Sequence, residues 1–324
     1  MTVDYGQILH KSWAITKKNK WLWVFGLILA TFSSSGGGSF NLGNSFNSKD
    51  ISSSNFKISN RYLSADQYLF MVNAIENWFL SIPISTWITL GISIFVLMLV
   101  GIVISTVISS WVQASLISGI ATAHEDKPVT LTSASAVGFA KFGQLIIFGL
   151  INFGLVIVAT LALIVLGILA ATISPIVAIL IMVPGAIFFI AGVVLLAFIS
   201  LYAQRLIVLK NLSPWAAWKK SLNLTKGAFL PTLVMGFINM GIGCGVGCVS
   251  ALIMGIIIGL PAVIIVVVSM STGSFVFPGW PAIVVLIVSL LLAINLNLLV
   301  AAIKIVFDYS NYHQIFIEAL KNDK

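Results

Sequence analysis

Charge is what this sequence has least of: Asp, Glu, Lys and Arg supply 8% of its 324 residues, against roughly 25% in a soluble domain. That scarcity excludes an ordinary soluble core. No Asp, Glu, Lys or Arg occurs from Asn77 to Ala123, from Phe142 to Gln204 or from Gly227 to Ile303, and each stretch exceeds the roughly 20 apolar residues that cross a bilayer. Cysteine is scarce as well. Cys244 and Cys248 are the only two, four apart in one apolar segment, with no second Cys or His pair nearby to complete a zinc site, so neither a disulfide framework nor a metal is implied. Catalytic signatures are missing too. The chain holds no Gly-x-Ser-x-Gly and no His-Glu-x-x-His, and His10, His124 and His313 are unclustered in sequence, which makes an enzyme the class with least support and implies no cofactor.

What is present is apolar: 59% of residues are hydrophobic and the mean hydropathy is +1.10. Inside hydrocarbon every backbone N–H and C=O needs an internal partner, and the aliphatic runs lack the alternation of a barrel. The fold class is therefore all-α integral membrane. Six transmembrane helices are predicted, at about 20–33, 86–110, 144–172, 183–206, 229–260 and 282–307. The first is short unless the lysines before it snorkel. It follows Lys11, Lys17, Lys18 and Lys20 as a signal peptide would, but Ile28-Leu29-Ala30 offers no small-residue cleavage site, so it reads as a span. Residues 34–64, rich in Ser, Gly and Asn, read as a flexible external loop, and 65–80 as a short amphipathic piece ended by Pro83. Ser174-Pro175 and Pro184-Gly185 mark the turn region between the third and fourth spans, and Ser269 to Gly273 with Pro278 to Pro281 a loop before the last.

The net charge of +8 and pI near 9.5 do not point to nucleic acid, because the basic residues flank apolar segments instead of forming one dense patch. Segments 1–20, 123–141, 205–226 and 304–324 carry every Lys and Arg except Lys49, Lys57 and Arg61. Such asymmetry places them, with both termini, in the cytoplasm. Stacked, they reveal a repeat. Ser12-Trp-Ala-Ile-Thr16-Lys17 precedes Phe25-Gly26-Leu27-Ile28, Lys141 precedes Phe148-Gly149-Leu150-Ile151-Asn152, and Ser221-Leu-Asn-Leu-Thr225-Lys226 precedes Met235-Gly236-Phe237-Ile238-Asn239. Three tandem units follow, about 1–123, 124–210 and 211–324 of a single membrane domain, each a basic amphipathic helix plus a hairpin.

The third amphipathic segment is the clearest. Ser213-Pro214 starts it with a capping residue and Pro at the first helical position, and Trp215, Trp218, Leu222, Thr225 and Phe229 share a face away from Lys219, Lys220 and Lys226. Such a helix lies in the headgroup layer and favours anionic lipid. Val208-Leu-Lys-Asn-Leu-Ser-Pro-Trp-Ala-Ala-Trp-Lys-Lys-Ser-Leu-Asn-Leu-Thr-Lys-Gly-Ala-Phe229 resembles the motif of a broad bacterial superfamily. It includes the membrane domain of some glycerophosphodiester phosphodiesterases and the YciC-like inner-membrane proteins. The motif covers about 208–229, with a weaker echo at 11–23. The resemblance implies the six-helix architecture and a bacterial cytoplasmic membrane. It carries over no phosphodiesterase activity, since the soluble domain that performs it has no counterpart here.

Ionisable residues inside a membrane are functional suspects by default. Lys304 and Asp308, four apart near the end of the last span with Tyr312 and His313 beyond, are the nearest thing to a proton or ion relay, against the plainer reading of a boundary ion pair. Arg205 reads as an interfacial anchor. Asn152 and Asn239, joined by Asn295 or Asn297, only one of which can face the same way, form a possible intramembrane polar cluster, a solute site set against simple interhelical bonds. Gly241, Gly243, Gly245 and Gly247 lack the context of a nucleotide loop and read as a close-packing helix face, and Glu125-Asp126 as a solvated turn. The balance is a non-catalytic accessory or scaffold that binds lipid or a partner protein through Lys219, Lys220, Lys226, Trp215 and Trp218. It allows a protein partner or homo-oligomer. The alternative is a small permease or channel for a polar solute.

Overall fold

A computed structural model of the chain describes residues 3–32, 73, 81, 83–271 and 280–322. The expected external loop at 34–64 lies outside the described residues, as does 65–80 except for position 73. Every regular element among the described residues is helical: α1 Tyr5–Lys18, α2 Trp21–Phe32, α3 Ile84–His124, α4 Leu131–Ile173, α5 Pro175–Lys210, α6 Pro214–Met254, a π-helical turn Gly255–Gly259, α7 Leu260–Ser271 and α8 Trp280–Asn322. Among the described residues, five helical segments are long and apolar enough to cross a membrane: Ile84–His124, Leu131–Ile173, Pro175–Lys210, Pro214–Ile265 and Ile283–Asn322. The chain is a multi-pass membrane protein. The helix α2 has 12 residues, a rise of about 18 Å, against a hydrocarbon core of roughly 30 Å.

Local chemistry sets the boundaries. Asp4, Thr130, Ser174 and Ser213 each accept a backbone N–H of the helix they precede, which satisfies donors that helix ends otherwise leave unpaired. Ser174 alone separates α4 from α5, and the helix runs on through Pro184, where the sequence suggested a turn. Hydrocarbon explains the difference, because a turn there would strip backbone groups of partners while a helix loses only the proline N–H. Asn211 ends α5 in the left-handed region at φ 55°, which Asn tolerates. In α6 the backbone leaves helical geometry at Ala228 (φ −118°, ψ 20°), beside Gly227, whose carbonyl the ring of Pro231 displaces. The segment expected as a loop from Ser269 is helical as far as Ser271, and residues 272–279 lie outside the described ones.

The chain divides into two compact units, residues 39–105 and residues 1–38 with 106–324. Within the first, the part of α3 from Ile84 to Ser105 is apolar and largely exposed. Within the second, Lys18 pairs with Asp126 at 3.8 Å, Lys141 bonds Asn211, and Gln314 reaches the Ile8 carbonyl and the Ser12 hydroxyl, both at 3.1 Å. These contacts gather α1, the α3–α4 turn, the α5–α6 turn and the C-terminal part of α8 at one basic end. The two buried cores lie here, around Tyr202, Leu206, Leu224, Met235 and Phe316 and around Leu22, Phe25, Leu116 and Val306. Away from it, α4, α5, α6 and α8 present Ile, Leu, Val and Phe outward, as lipid-facing helices do.

Among the described residues, glycine allows the closest approach to another helix's backbone at Gly26, where an added Cβ would stand 2.5 Å from the Ala302 carbonyl oxygen. Of the expected glycine face of α6 only Gly243 packs, against Lys304: a Cβ at Gly241, Gly245 or Gly247 meets nothing within 4 Å, and Cys244 and Cys248 are exposed. We expect Gly26→Val to destabilise the protein by about 1–3 kcal/mol, as overpacking does, and Gly245→Val to be near neutral. Thermal unfolding in detergent measures both, and equal effects would contradict the assigned α2–α8 contact.

Candidate functional site

The unusual feature of the basic end is how much polarity it buries. Arg205 is 1% exposed on α5, where an interfacial anchor was expected. Its Nη1 donates to the Leu201 carbonyl at 2.6 Å and its Nη2 to the Tyr309 carbonyl of α8 at 3.0 Å, with the guanidinium 5.8 Å from the Tyr309 ring centroid. The sequence signal for an anchor was position, a cation at the end of an apolar run. That signal cannot tell a residue facing headgroups from one facing a neighbouring helix.

A polar seam runs from Arg205 along α6 and α8. The Tyr202 hydroxyl bonds Thr232, whose own hydroxyl donates to Ala228 at 2.6 Å. Asn311 Nδ2 donates to Asn239 Oδ1 at 2.8 Å, both side chains buried. A Cβ at Gly236 would lie 3.7 Å from the Tyr312 hydroxyl, and one at Gly243 would lie 3.1 Å from Lys304 Cε. So Gly236, Asn239 and Gly243, spaced as one helical face, meet α8, with Thr232 one turn earlier meeting Tyr202 of α5, and the two glycines leave room for the long polar side chains of α8. Lys304 and Asp308 form the expected ion pair, with only 16% of each side chain exposed.

The other expected residues fall elsewhere. Asn152 donates to Ser200 at 3.3 Å, while Asn295 is exposed and bonds the Leu291 carbonyl of its own helix. Each of the three asparagines therefore has a different partner, and Asn239 alone belongs to the seam. Asn311 was missed because it lies beyond the apolar run, where a polar residue attracts no notice. His124 and His313, distant in sequence, bring their rings to 4.9 Å. Glu125 and Asp126 are exposed, as a solvated turn requires; the hydrogen bond from Lys127, 2.5 Å away, holds the Glu125 carboxyl below its ordinary range.

Helix α6 begins with two distinct faces. Ala217, Ser221, Leu224, Thr225 and Ala228 are buried against the protein, whereas Trp215 is 53% exposed and Phe229 is 39% exposed. Thr225 thus belongs to the protein-facing stripe and not to the aromatic one. Trp215 and Trp218 stack at 5.6 Å with planes 6° apart, and the Lys219 ammonium lies 5.6 Å from the Trp215 centroid, within cation–π range. Lys220 and Lys226 are exposed. The same pattern occurs in α1, where Ser12 and Thr16 are buried, Trp13 is exposed, and Thr16 donates to the Ser12 carbonyl at 2.8 Å as Thr225 does to that of Ser221.

Replacing Asn311 by Leu removes the partner of Asn239 and leaves a buried amide unpaired, which costs about 1–3 kcal/mol. Asn239→Leu should cost a similar amount. The double variant should cost less than the sum of the two, by a margin that a double-mutant cycle on thermal stability reads directly; strict additivity would mean that the pair does not form.

Compared with family models, with curated proteins and with solved structures, the chain matches none.

Proposed function

We propose that the protein is a non-catalytic accessory protein of a bacterial cytoplasmic membrane that binds anionic lipid headgroups at its basic end. The observation that carries this reading is the stacked Trp215–Trp218 pair with Lys219 over it, on a helix whose opposite face is buried in the protein. Indole rings favour the membrane–water boundary, and basic residues beside an anionic leaflet each contribute about 1 kcal/mol. A helix fixed to the protein by Ala217, Ser221 and Leu224 has already lost its freedom. Trp218 packs partly on the core and holds the exposed Trp215 ring in place, so Trp215, Lys219 and Lys220 meet lipid with little further ordering.

Orientation belongs to the same reading. The N-terminal helix and the end of α8 share the basic end, so an even number of crossings joins them, and α2 then supplies a sixth beside the five long helices. Cytoplasmic termini follow from the positive-inside rule. The shared Ser–Thr pattern of α1 and α6 supports a repeated unit of amphipathic helix and hairpin, and with it the kinship suggested by the motif at 208–229. The permease alternative, which drew on an asparagine cluster and on the glycine-rich part of α6, is weakened because Asn152, Asn239 and Asn295 have separate partners, while Asn297 is buried.

Native mass spectrometry of the protein in mixed anionic and zwitterionic lipid tests the assignment. The wild type should retain anionic lipid selectively, and Lys219→Gln, Lys220→Gln and Lys226→Gln combined should reduce that retention several-fold. Retention that ignores headgroup charge, or that survives the triple change, would overturn it.

A further inference from the structure

Helix α8 carries a polar stripe that lipid binding does not use. At 100° per residue, Ser289, Ala293, Asn297, Lys304, Asp308 and Asn311 fall within an arc of about 100°. Ser289, Asn297 and Asn311 are buried. Asn295, outside the arc, is exposed. From Ser289 to Asn311 the stripe rises about 33 Å, the thickness of a hydrocarbon core. Ser289 and Asn297 donate to carbonyls of their own helix, Val285 at 2.8 Å and Ala293 at 2.9 Å, which keeps their oxygen acceptors free to serve another donor.

Two further features accompany this stripe. The π-helical turn Gly255–Gly259 packs against α8, and such turns recur at functional sites because they take backbone groups out of helical register. In the seam itself, Asp308 Oδ1 and Asn311 Oδ1 are buried without a hydrogen-bond partner among the described residues, while the Asn239 amide lies beside the Tyr312 hydroxyl. Buried polar groups are nearly always paired. Free buried acceptors are what water molecules satisfy, and a chain of such groups with one carboxylate in it is able to pass protons.

We propose that the buried stripe of α8 lines a proton path and that Asp308 is its proton-binding group. In the resting pair, Lys304 is an ammonium and Asp308 a carboxylate. A hydronium arriving from the basic end gives its proton to Asp308: an O–H bond forms, water is left, and the Lys304 ammonium, still charged, loses its counter-ion. Its stem lies against Gly243, where no side chain blocks its swing. Asp308 then releases the proton to water on the side of Asn297 and Ser289 and pairs with Lys304 again. One proton crosses, and nothing is oxidised or reduced. The titratable groups facing Asp308 are Lys304, Tyr309 and Tyr312 on α8, with Arg205 of α5 beyond Tyr309. The facing stretch 232–243 of α6, the π-helical turn, α7 and α2 contain no titratable side chain. On α5, Tyr202 lies beside Arg205 and Tyr312, and His124 of α3, with Lys11 of α1 near it, lies toward His313 at the basic end.

The test uses the full-length protein in liposomes loaded with a pH-sensitive dye, with proton entry driven by a valinomycin-set potassium potential. Wild type should acidify the lumen faster than protein-free vesicles. Asp308→Asn, which cannot take up the proton, should lower that rate at least tenfold, and Asn297→Leu, which leaves the ion pair intact, should lower it too. Asn295→Leu, on the lipid side, should not. Size-exclusion elution and thermal unfolding report whether each variant is folded. A wild-type rate equal to that of empty vesicles overturns the proposal, as does an undiminished rate in folded Asp308→Asn. Should that variant not fold, an undiminished rate in Asn297→Leu overturns it. Lipid retention is read separately, so failure of one assignment leaves the other standing.

Discussion

Helices surrounded by lipid have no hydrophobic reason to meet one another, since acyl chains are as apolar as leucine. What joins them must be close approach or polar contact, and among the described residues most of the polar contact lies at one end. Gly26 brings α2 onto α8 at Ala302. Arg205 ties α5 to the Tyr309 carbonyl, Asn311 ties α8 to α6, and Gln314 ties α8 to α1. Toward the other end the same helices expose Ile, Leu, Val and Phe along most of their faces. The packed end therefore sets the geometry of the bundle, while the apolar end is free to follow the membrane.

Burying Arg205 is the most demanding part of that arrangement. A lone guanidinium in low dielectric is costly, and carbonyl contacts offset only part of the cost. Its placement between α5 and α8 makes the packing of those helices specific, because a shift along either axis would separate the charge from its acceptors. Asn239 and Asn311 act in the same way at lower stakes. Their mutual bond fixes one register of α6 against α8, and that register in turn brings Gly243 opposite Lys304.

The sequence made the membrane class, the helical content and the positions of the long spans legible, because missing charge over more than twenty residues has one physical explanation. The Lys304–Asp308 pair was legible from spacing four on a helix. Contacts between helices were not. His124 and His313 meet across 189 positions of chain, and periodicity within either helix cannot reveal it. The glycines of α6 misled for a related reason: small residues permit close approach, but only a neighbour's position decides whether approach occurs. At Gly241 and Gly245 there is none, whereas the single Gly26, inconspicuous in a short helix, is where two backbones nearly touch. Pro184 misled because its turn-forming habit in water is overridden where only a helix satisfies the backbone.

The first turns of α6 show why surface and core assignments have to be made atom by atom at a membrane boundary. A helix with aromatic residues on one side and lysines on another reads as a single amphipathic face, yet Ala217, Ser221, Leu224, Thr225 and Ala228 form a third side that the protein buries. Ser and Thr suit that side because Thr225 returns its hydroxyl to the Ser221 carbonyl, which removes most of the penalty for burying it. Ser12 and Thr16 repeat the device in α1. A small, self-satisfied polar stripe lets the helix sit tightly on the bundle and leaves Trp215, Lys219 and Lys220 exposed. Fixing the helix and making the proposed lipid contact are then separable. Substitutions at Ser221 or Thr225 act on the fold, whereas Lys219 and Lys220 lie on the exposed side, where a change leaves the packing untouched.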